Sequence, residues 1–133
     1  MQLDPFGPIG PYKARLTGTH FGTAIASQNS IFDYILPSNR SINGCEFKAE
    51  TPNFGDKVTF QVIIPVGHSF NPTQNEIIAN EFATNWYVSN ELDQIVLYRA
   101  DIPAGFILRV IYNNIGNQDS KFFVNLFLHE KAV

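Results

Sequence analysis

The sequence has little charge, and its basic residues do not cluster. Charged residues make up 16% of the chain, against about 25% in a typical soluble domain. The nine Lys and Arg are scattered singly, whereas nucleic-acid binding usually needs a basic patch that displaces counterions. No apolar run approaches the roughly 18 residues of a membrane-spanning helix. We therefore expect no direct contact with nucleic acid and no membrane span.

Cysteine is nearly absent, and no export signal is recognisable. The segment MQLDPFGPIGPYKARL lacks the basic start and the apolar core of a signal peptide. Cys45 is the single cysteine, so the chain cannot form an internal disulfide. Both features predict a protein that is made and folded in a reducing cytoplasm and is not secreted by a signal peptide.

The short motifs of common catalytic and metal sites are also missing. His20, His68 and His129 have no second ligand at metal-binding spacing. There is no Gly-x-Ser-x-Gly nucleophile motif and no glycine-rich phosphate loop. The sequence alone cannot pair the carboxylates that glycoside hydrolysis would need, and Cys45 is expected to be a buried, inert thiol. We predict no cofactor, no metal site and no enzymatic activity.

Apolar and aromatic residues, by contrast, are abundant enough for a well-packed core. Hydrophobic residues make up 44% of the 133 positions, with 12 Phe, 5 Tyr and 1 Trp. Short apolar stretches alternate with turn signals, which is typical of β-sandwiches. The sequence predicts an all-β, antiparallel, jelly-roll-like β-sandwich with at most one short helix. The predicted strands are 17–26, 31–36, 42–50, 57–65, 94–100, 106–113 and 121–129.

The segment 73–88, TQNEIIANEFATNWYV, is ambiguous between helix and strand. Thr73 followed by Glu76 resembles a helix capping box, and Ile78, Phe82 and Trp86 recur every four residues, as on one helical face. The same three side chains would also share one side of a long strand. We favour a short helix that runs into a strand at NWYV.

Residues 1–16 are predicted to form an extended N-terminal arm ahead of a sandwich domain at 17–133. Its three prolines and two glycines disfavour regular structure. Phe6, Ile9 and Tyr12 nevertheless punctuate it, and a solvated linker has little use for such side chains. The arm is expected either to contact a partner protein or to fold back on its own domain.

The strands at 106–113 and 121–129 are apolar on both faces, and we predict that they form an antiparallel hairpin. In a two-layer sandwich only one face of a strand meets the opposite sheet, so the second face needs another cover. We expect the second-face side chains to form one exposed apolar patch of the kind that marks interfaces. Arg109 would lie within it as an interface arginine, or else snorkel to solvent. The predicted patch residues are Ile107, Ile111, Phe123 and Phe127.

Trp86 and Tyr87 support a second hypothesis. Exposed aromatic rings next to a polar loop can stack on sugar rings, while Asn and Asp bind sugar hydroxyls. This pattern makes the two residues candidates for a glycan-binding or receptor-binding site. The alternative, which we favour, is that Trp86 is the largest core anchor of the domain.

Four segments of the sequence resemble small structural proteins of tailed bacteriophages. They are SINGCEFKAETPNFGDKVTFQV, FATNWYV, DIPAGFILRVIYNN and FFVNLFLHEK, and the resemblance spans about residues 31–131. It implies a non-enzymatic β-sandwich component of the virion, in the head, neck or tail, that is made in the host cytoplasm. Such a protein would act by forming homo-oligomers and docking to other virion proteins. The resemblance transfers no binding residues, and a carbohydrate-binding or receptor-binding module stays the alternative.

Overall fold

A computed structural model describes the backbone of residues 12–131 and the side chains of residues 21–82 and 86–129. Within this part the chain forms eight β-strands and no helix. The strands are β1 (Tyr12–Ala24), β2 (Gln28–Ile35), β3 (Arg40–Ala49), β4 (Lys57–Ile64), β5 (Ile77–Tyr87), β6 (Asp93–Ile102), β7 (Ile107–Asn114) and β8 (Ser120–Lys131).

The strands form two four-stranded antiparallel sheets that pack face to face. One sheet has the order β1-β8-β3-β6 and the other β2-β7-β4-β5. Only β4 and β5 are neighbours both in the chain and in a sheet, because every other connection crosses between the sheets. Eight strands connected in this way form a jelly roll. The predicted all-β antiparallel sandwich is confirmed.

The core consists of alternate side chains from the two inner faces. Strand side chains point to opposite sides in turn, and in β7 the inward set is Leu108, Val110 and Tyr112. From the other sheet, Phe47 stacks on Phe122 with 5.7 Å between ring centroids and an interplanar angle of 12°. The apolar second face of β7 therefore points away from the core.

The segment 73–88 contains no helix, so the predicted short helix was wrong. Ile77–Tyr87 is a single strand, β5, paired with β4. Thr73 does not cap a helix, because its hydroxyl bonds to the Asn71 side chain and to the Asn75 carbonyl. Glu76, just before β5, instead pairs with Arg109 on β7.

Two other expectations need correction. The strands β7 and β8 lie in different sheets, so they do not form the predicted hairpin. Strand β1 begins at Tyr12 and pairs with β8 from there, which puts residues 12–16 in the sandwich and not in the arm. Phe6 and Ile9, the first two contact candidates of the arm, lie outside the described residues, as does the side chain of Tyr12.

Candidate functional site

The four residues of the predicted apolar patch do not lie together. Ile107 and Ile111 point outward from the sheet β2-β7-β4-β5, since their neighbours in β7 point into the core. Phe123 and Phe127 point outward from the opposite sheet for the same reason. The single shared patch was therefore wrong, because the sandwich separates the two pairs. Ile107 and Phe127 are also buried, at 8% and 3% exposure, whereas Ile111 and Phe123 are half-buried.

Arg109 lies on the outer face of β7 and holds two carboxylates of its own chain. Its Nε and Nη2 donate to the two carboxylate oxygens of Asp33 over 2.8 and 3.0 Å. Its Nη1 and Nη2 donate to the carboxylate of Glu76 over 2.8 and 3.1 Å. Two-pronged contacts of this kind are the strongest that arginine makes. The guanidinium ties β2 and the start of β5 to the central strand β7.

This arrangement shifts the ionisation of Glu76 and Arg109 towards their charged forms. Hydrogen bonding from Arg109 lowers the pKa of Glu76. Hydrogen bonds to Asp33 and Glu76 raise the pKa of the Arg109 guanidinium above its ordinary value. The arginine does reach carboxylates, as the sequence led us to expect of an interface arginine, but they belong to the same domain. Its guanidinium is therefore not available to a partner's carboxylate, and it does not extend unpaired into solvent.

Isoleucines flank this polar row on the same outer face. One cross-strand row runs through Ile35, Ile107, Ile63 and Ile78, as the strand registers place them opposite one another. Its central members are buried, while Ile35 and Ile78 at the two edge strands are 64% and 56% exposed. On the other side of Arg109, Ile31 pairs with Ile111. The outer face therefore carries partly apolar rows on either side of the internally bonded row of Arg109, and a further polar row with Asn29, Asn113 and Lys57.

The outer face of the opposite sheet carries a smaller aromatic feature. Phe21 and Phe123 are direct cross-strand neighbours whose ring centroids lie 5.2 Å apart. Phe21 is 73% exposed. A shallow cavity of about 320 Å³ beside these rings is also lined by Lys48 and Lys121. Its lining mixes apolar rings with opposite charges, since Glu50 also contributes, so it defines no single ligand chemistry.

Four loops meet at one end of the sandwich, which we call the loop end: 25–27, 50–56, 88–92 and 115–119. Hydrogen bonds connect them, for example from the Ala26 backbone N–H to Asp119 and from the Gln118 side chain to the Thr51 carbonyl. The Val88 backbone N–H likewise donates to the carbonyl of Asp56. These links make the loop end one connected structure.

Asp56 organises the loop end from inside. Its side chain is fully buried, and its carboxyl oxygens accept hydrogen bonds from the backbone N–H groups of Asn53 and Ile115 and from the hydroxyl of Tyr112, at 2.9 to 3.0 Å. Burial, followed by the bond to Asp56, raises the pKa of Tyr112. One side chain thus joins the β3–β4 turn, the β7–β8 loop and the core.

The two aromatic residues proposed for glycan binding lie on opposite faces of β5. Trp86 is opposite the inward-facing Val58, and Tyr87 is opposite Lys57 on the outer face, with the Lys57 ammonium 5.3 Å from its ring centroid. Trp86 is 40% exposed at this edge strand, so the preferred role as the main core anchor was wrong. Tyr87 is 66% exposed.

Tyr87 shares a groove with a residue that the sequence analysis did not select. The groove, of about 570 Å³, is lined by Pro52, Asn53, Phe54, Gly55, Tyr87, Val88, Ser89 and Asn90. Phe54, at the tip of the β3–β4 turn, is fully exposed. The sequence contained one signal for Phe54. Its aromatic side chain lies inside a Pro-Asn-Phe-Gly-Asp turn, where it has little access to the core.

The residues with potential for catalysis or metal binding are dispersed in the structure. Burial raises the pKa of Cys45 well above its ordinary range. His68 is held by the Ala104 carbonyl and the Phe70 backbone N–H, and His129 is buried. No group of three His, Cys, Asp or Glu placed to hold a metal ion occurs among the described residues. Residues 12–131 contain no helix long and apolar enough to cross a membrane.

Scans against protein-family models, characterised proteins and solved structures find no match. The strand order alone does not decide the function, because jelly rolls occur in viral capsid proteins, lectins and cupins alike. The surfaces of the sandwich are therefore the basis for inferring what it does.

Proposed function

We propose that the protein is a non-enzymatic structural component of a tailed-bacteriophage virion. It acts by associating with copies of itself and with other virion proteins through the outer face of the sheet β2-β7-β4-β5. The resemblance of residues 31–131 to small phage structural proteins supports the virion part of the proposal. The jelly-roll strand order is compatible with it, since viral capsid proteins use this fold.

The exposed isoleucines of this face are the observation that carries the assembly role. Ile31, Ile35 and Ile78 are each more than half exposed, and Ile35 and Ile78 lie at the two ends of a cross-strand row whose centre is buried. Exposed apolar side chains that share one sheet face favour a protein–protein contact there. Covering the exposed part of each side chain would contribute about 1 kcal/mol, so three of them per protomer favour association.

Arg109 ties the strands of this face together through carboxylates of its own chain. Because Asp33 and Glu76 already occupy its guanidinium, the arginine adds no unpaired positive charge to a contact. Gln61 and Glu81 continue the polar row with a 2.6 Å hydrogen bond. The row holds one guanidinium and three carboxylates, so it keeps a net negative charge, and a partner that covers it would have to bring positive charge.

The substitution Ile35→Asp tests the surface, with Asn29→Asp as its matched control. Both changes place one carboxylate on the outer face of β2, but only the first removes an exposed apolar side chain. We expect Ile35→Asp to keep the melting temperature of the dissociated protein and to weaken self-association at least about tenfold. Static light scattering over a concentration series measures this. Unchanged association would remove this face from the proposal.

A separate measurement tests the virion role. The protein should be present, in a reproducible copy number, when purified particles of the phage that encodes it are analysed by quantitative mass spectrometry. Absence from particles that are complete and infectious would show that the virion role is wrong, whatever the oligomeric state in solution.

A further inference from the structure

The groove at the loop end has the composition of a small-ligand site. Its volume of about 570 Å³ lies within the roughly 300–1,000 Å³ that is usual for such sites. Two exposed aromatic rings, Phe54 and Tyr87, share it with amide and hydroxyl side chains, and none of its eight lining residues is charged. We propose that this groove binds a neutral saccharide, stacked on Phe54 and Tyr87, as a second function independent of the assembly surface.

Phe54 is held in place by the turn although its side chain touches little of the protein. The Asp56 backbone N–H bonds to the Asn53 carbonyl, and the Asp56 carboxylate accepts the Asn53 backbone N–H. The Asn53 amide also donates to Asn114 and to the Gln118 carbonyl. Gly55 follows with a φ of +90°, a conformation that favours glycine. A fixed backbone thus presents a fully exposed ring, which lowers the entropy lost on binding.

Tyr87 supplies a second ring to the groove. It ends β5, and the Lys57 ammonium 5.3 Å from its ring centroid contributes a cation–π contact. The faces of aromatic rings are weakly negative, and the C–H groups along one side of a sugar ring are weakly positive. Stacking between them therefore combines apolar burial with electrostatic attraction.

The polar groups of the groove match hydroxyls and not ions. Within the described residues, the Asn90 side chain and the Tyr87 hydroxyl make no hydrogen bond, so both can donate to and accept from a ligand. Glu91 directly follows Asn90, and the chain carries a net charge of −3, which disfavours an acidic sugar. A ligand with many hydroxyls and no charge satisfies these groups without leaving one unpaired.

Titration of the full chain with saccharides tests the proposal. The probes are neutral oligosaccharides of glucose, mannose, galactose and N-acetylglucosamine, with sialyllactose as the acidic arm, measured by saturation-transfer NMR and calorimetry. We expect at least one neutral oligosaccharide to bind at millimolar concentration or below. Phe54→Ala and Tyr87→Ala should each weaken binding at least about tenfold, which corresponds to about 1.4 kcal/mol, while Tyr87→Phe should retain most of it.

Two controls separate the groove from other exposed aromatics. Phe70→Ala removes an exposed ring at the opposite end of the sandwich, and Trp86→Ala removes one from the other face of β5. Both should bind the saccharide as the unmodified chain does. Ile35→Asp should also bind it normally, so failure of the assembly role and failure of this one can be told apart.

Three results would overturn the proposal. They are no binding by any neutral probe at millimolar concentration, binding by sialyllactose alone, and saccharide binding that survives both Phe54→Ala and Tyr87→Ala. If Phe54→Ala instead reduced particle association while no saccharide bound, the groove would be a protein contact. The Phe54 side chain is fully exposed and adds nothing to the core. Its alanine variant should therefore melt within a few degrees of the unmodified chain.

Discussion

Replacing Asp56 by alanine tests whether this one side chain organises the loop end. The substitution removes the acceptor for two backbone N–H groups, of Asn53 and Ile115, and for the buried hydroxyl of Tyr112. These donors belong to the β3–β4 turn, to the β7–β8 loop and to the core strand β7. The consequence should therefore be both a loss of stability and a loosening of the turn that presents Phe54.

The expected loss in the free energy of unfolding depends on the number of hydrogen bonds removed and on the access of their donors to water. A hydrogen bond to a charged group contributes about 1.5–3 kcal/mol, and a buried donor left without a partner costs about 1–3 kcal/mol. The two backbone donors are only partly buried, so water can replace some of what they lose. The Tyr112 hydroxyl is buried and has less access to water. We expect a loss of about 3–5 kcal/mol in the free energy of unfolding.

Denaturant and thermal unfolding measure this loss. In a domain of this size it corresponds to a fall of roughly 10–20 °C in melting temperature. Asp119→Ala is the matched control, because Asp119 also accepts a backbone N–H at the loop end, from Ala26 over 2.9 Å, but is exposed to solvent. Its cost should be about 0.5–1.5 kcal/mol. If Asp56→Ala cost no more than Asp119→Ala, the organising role of Asp56 would be refuted.

Two further predictions concern ionisation. Burial raises the pKa of Cys45, and the thiolate is the reactive form. A thiol reagent such as dithionitrobenzoate should therefore label the chain only after it is unfolded in denaturant. Rapid labelling of the folded chain would contradict the buried position. Glu76 has a lowered pKa in the folded state, so its contribution to stability is present above the ordinary glutamate pKa of about 4.3 and is lost as pH falls through the lowered value. NMR titration of Arg109→Gln should return the Glu76 pKa towards its ordinary value, and an unchanged pKa would mean that Arg109 is not its cause.

Seven of the eight strands were predicted from the sequence to within about five residues at each end, because short apolar stretches lie between turn signals. β4 was predicted at 57–65 and spans Lys57–Ile64, and β7 was predicted at 106–113 and spans Ile107–Asn114. In both, one set of alternate side chains enters the core, and branched and aromatic residues with turn signals on either side indicate a strand. This agreement was enough to identify the two-layer class of the fold.

The helix preference for β5 came from the Thr73–Glu76 pattern and from a spacing of four that fits both a helix and a strand, and the irregular pairing with β4 was not predictable. The register shifts between Val58 and Phe60 and again between Val62 and Ile63. As a result Ile78 faces outward, opposite Ile63, whereas Phe82 faces the core opposite Phe60. A spacing of four residues then resembles one helical face although the side chains lie on two sides of a strand. Bulges of this kind depend on the partner strand and leave no local signal.

The error over β7 and β8 has a different origin, which is topology. A five-residue connection between two apolar strands favours a hairpin on local grounds, but here it crosses from one sheet to the other. Both strands are central in their own sheets, β7 between β2 and β4 and β8 between β1 and β3. Their partners are distant in sequence, and no property of residues 106–129 alone specifies them.

The loop end shows how far the chemistry of a site can be predicted once the strand is known. Adjacent residues of a strand point to opposite faces, so Trp86 and Tyr87 cannot share one ligand, and this conclusion needs only the assignment of β5 as a strand. The partner of Tyr87 is Phe54, more than 30 residues away along the chain, and it is brought near by the β3–β4 turn that Asp56 fixes. The turn itself was predictable from Pro52, Gly55 and Asp56. What the sequence could not specify is which strand end this turn would face, since that depends on the crossing connections of the jelly roll.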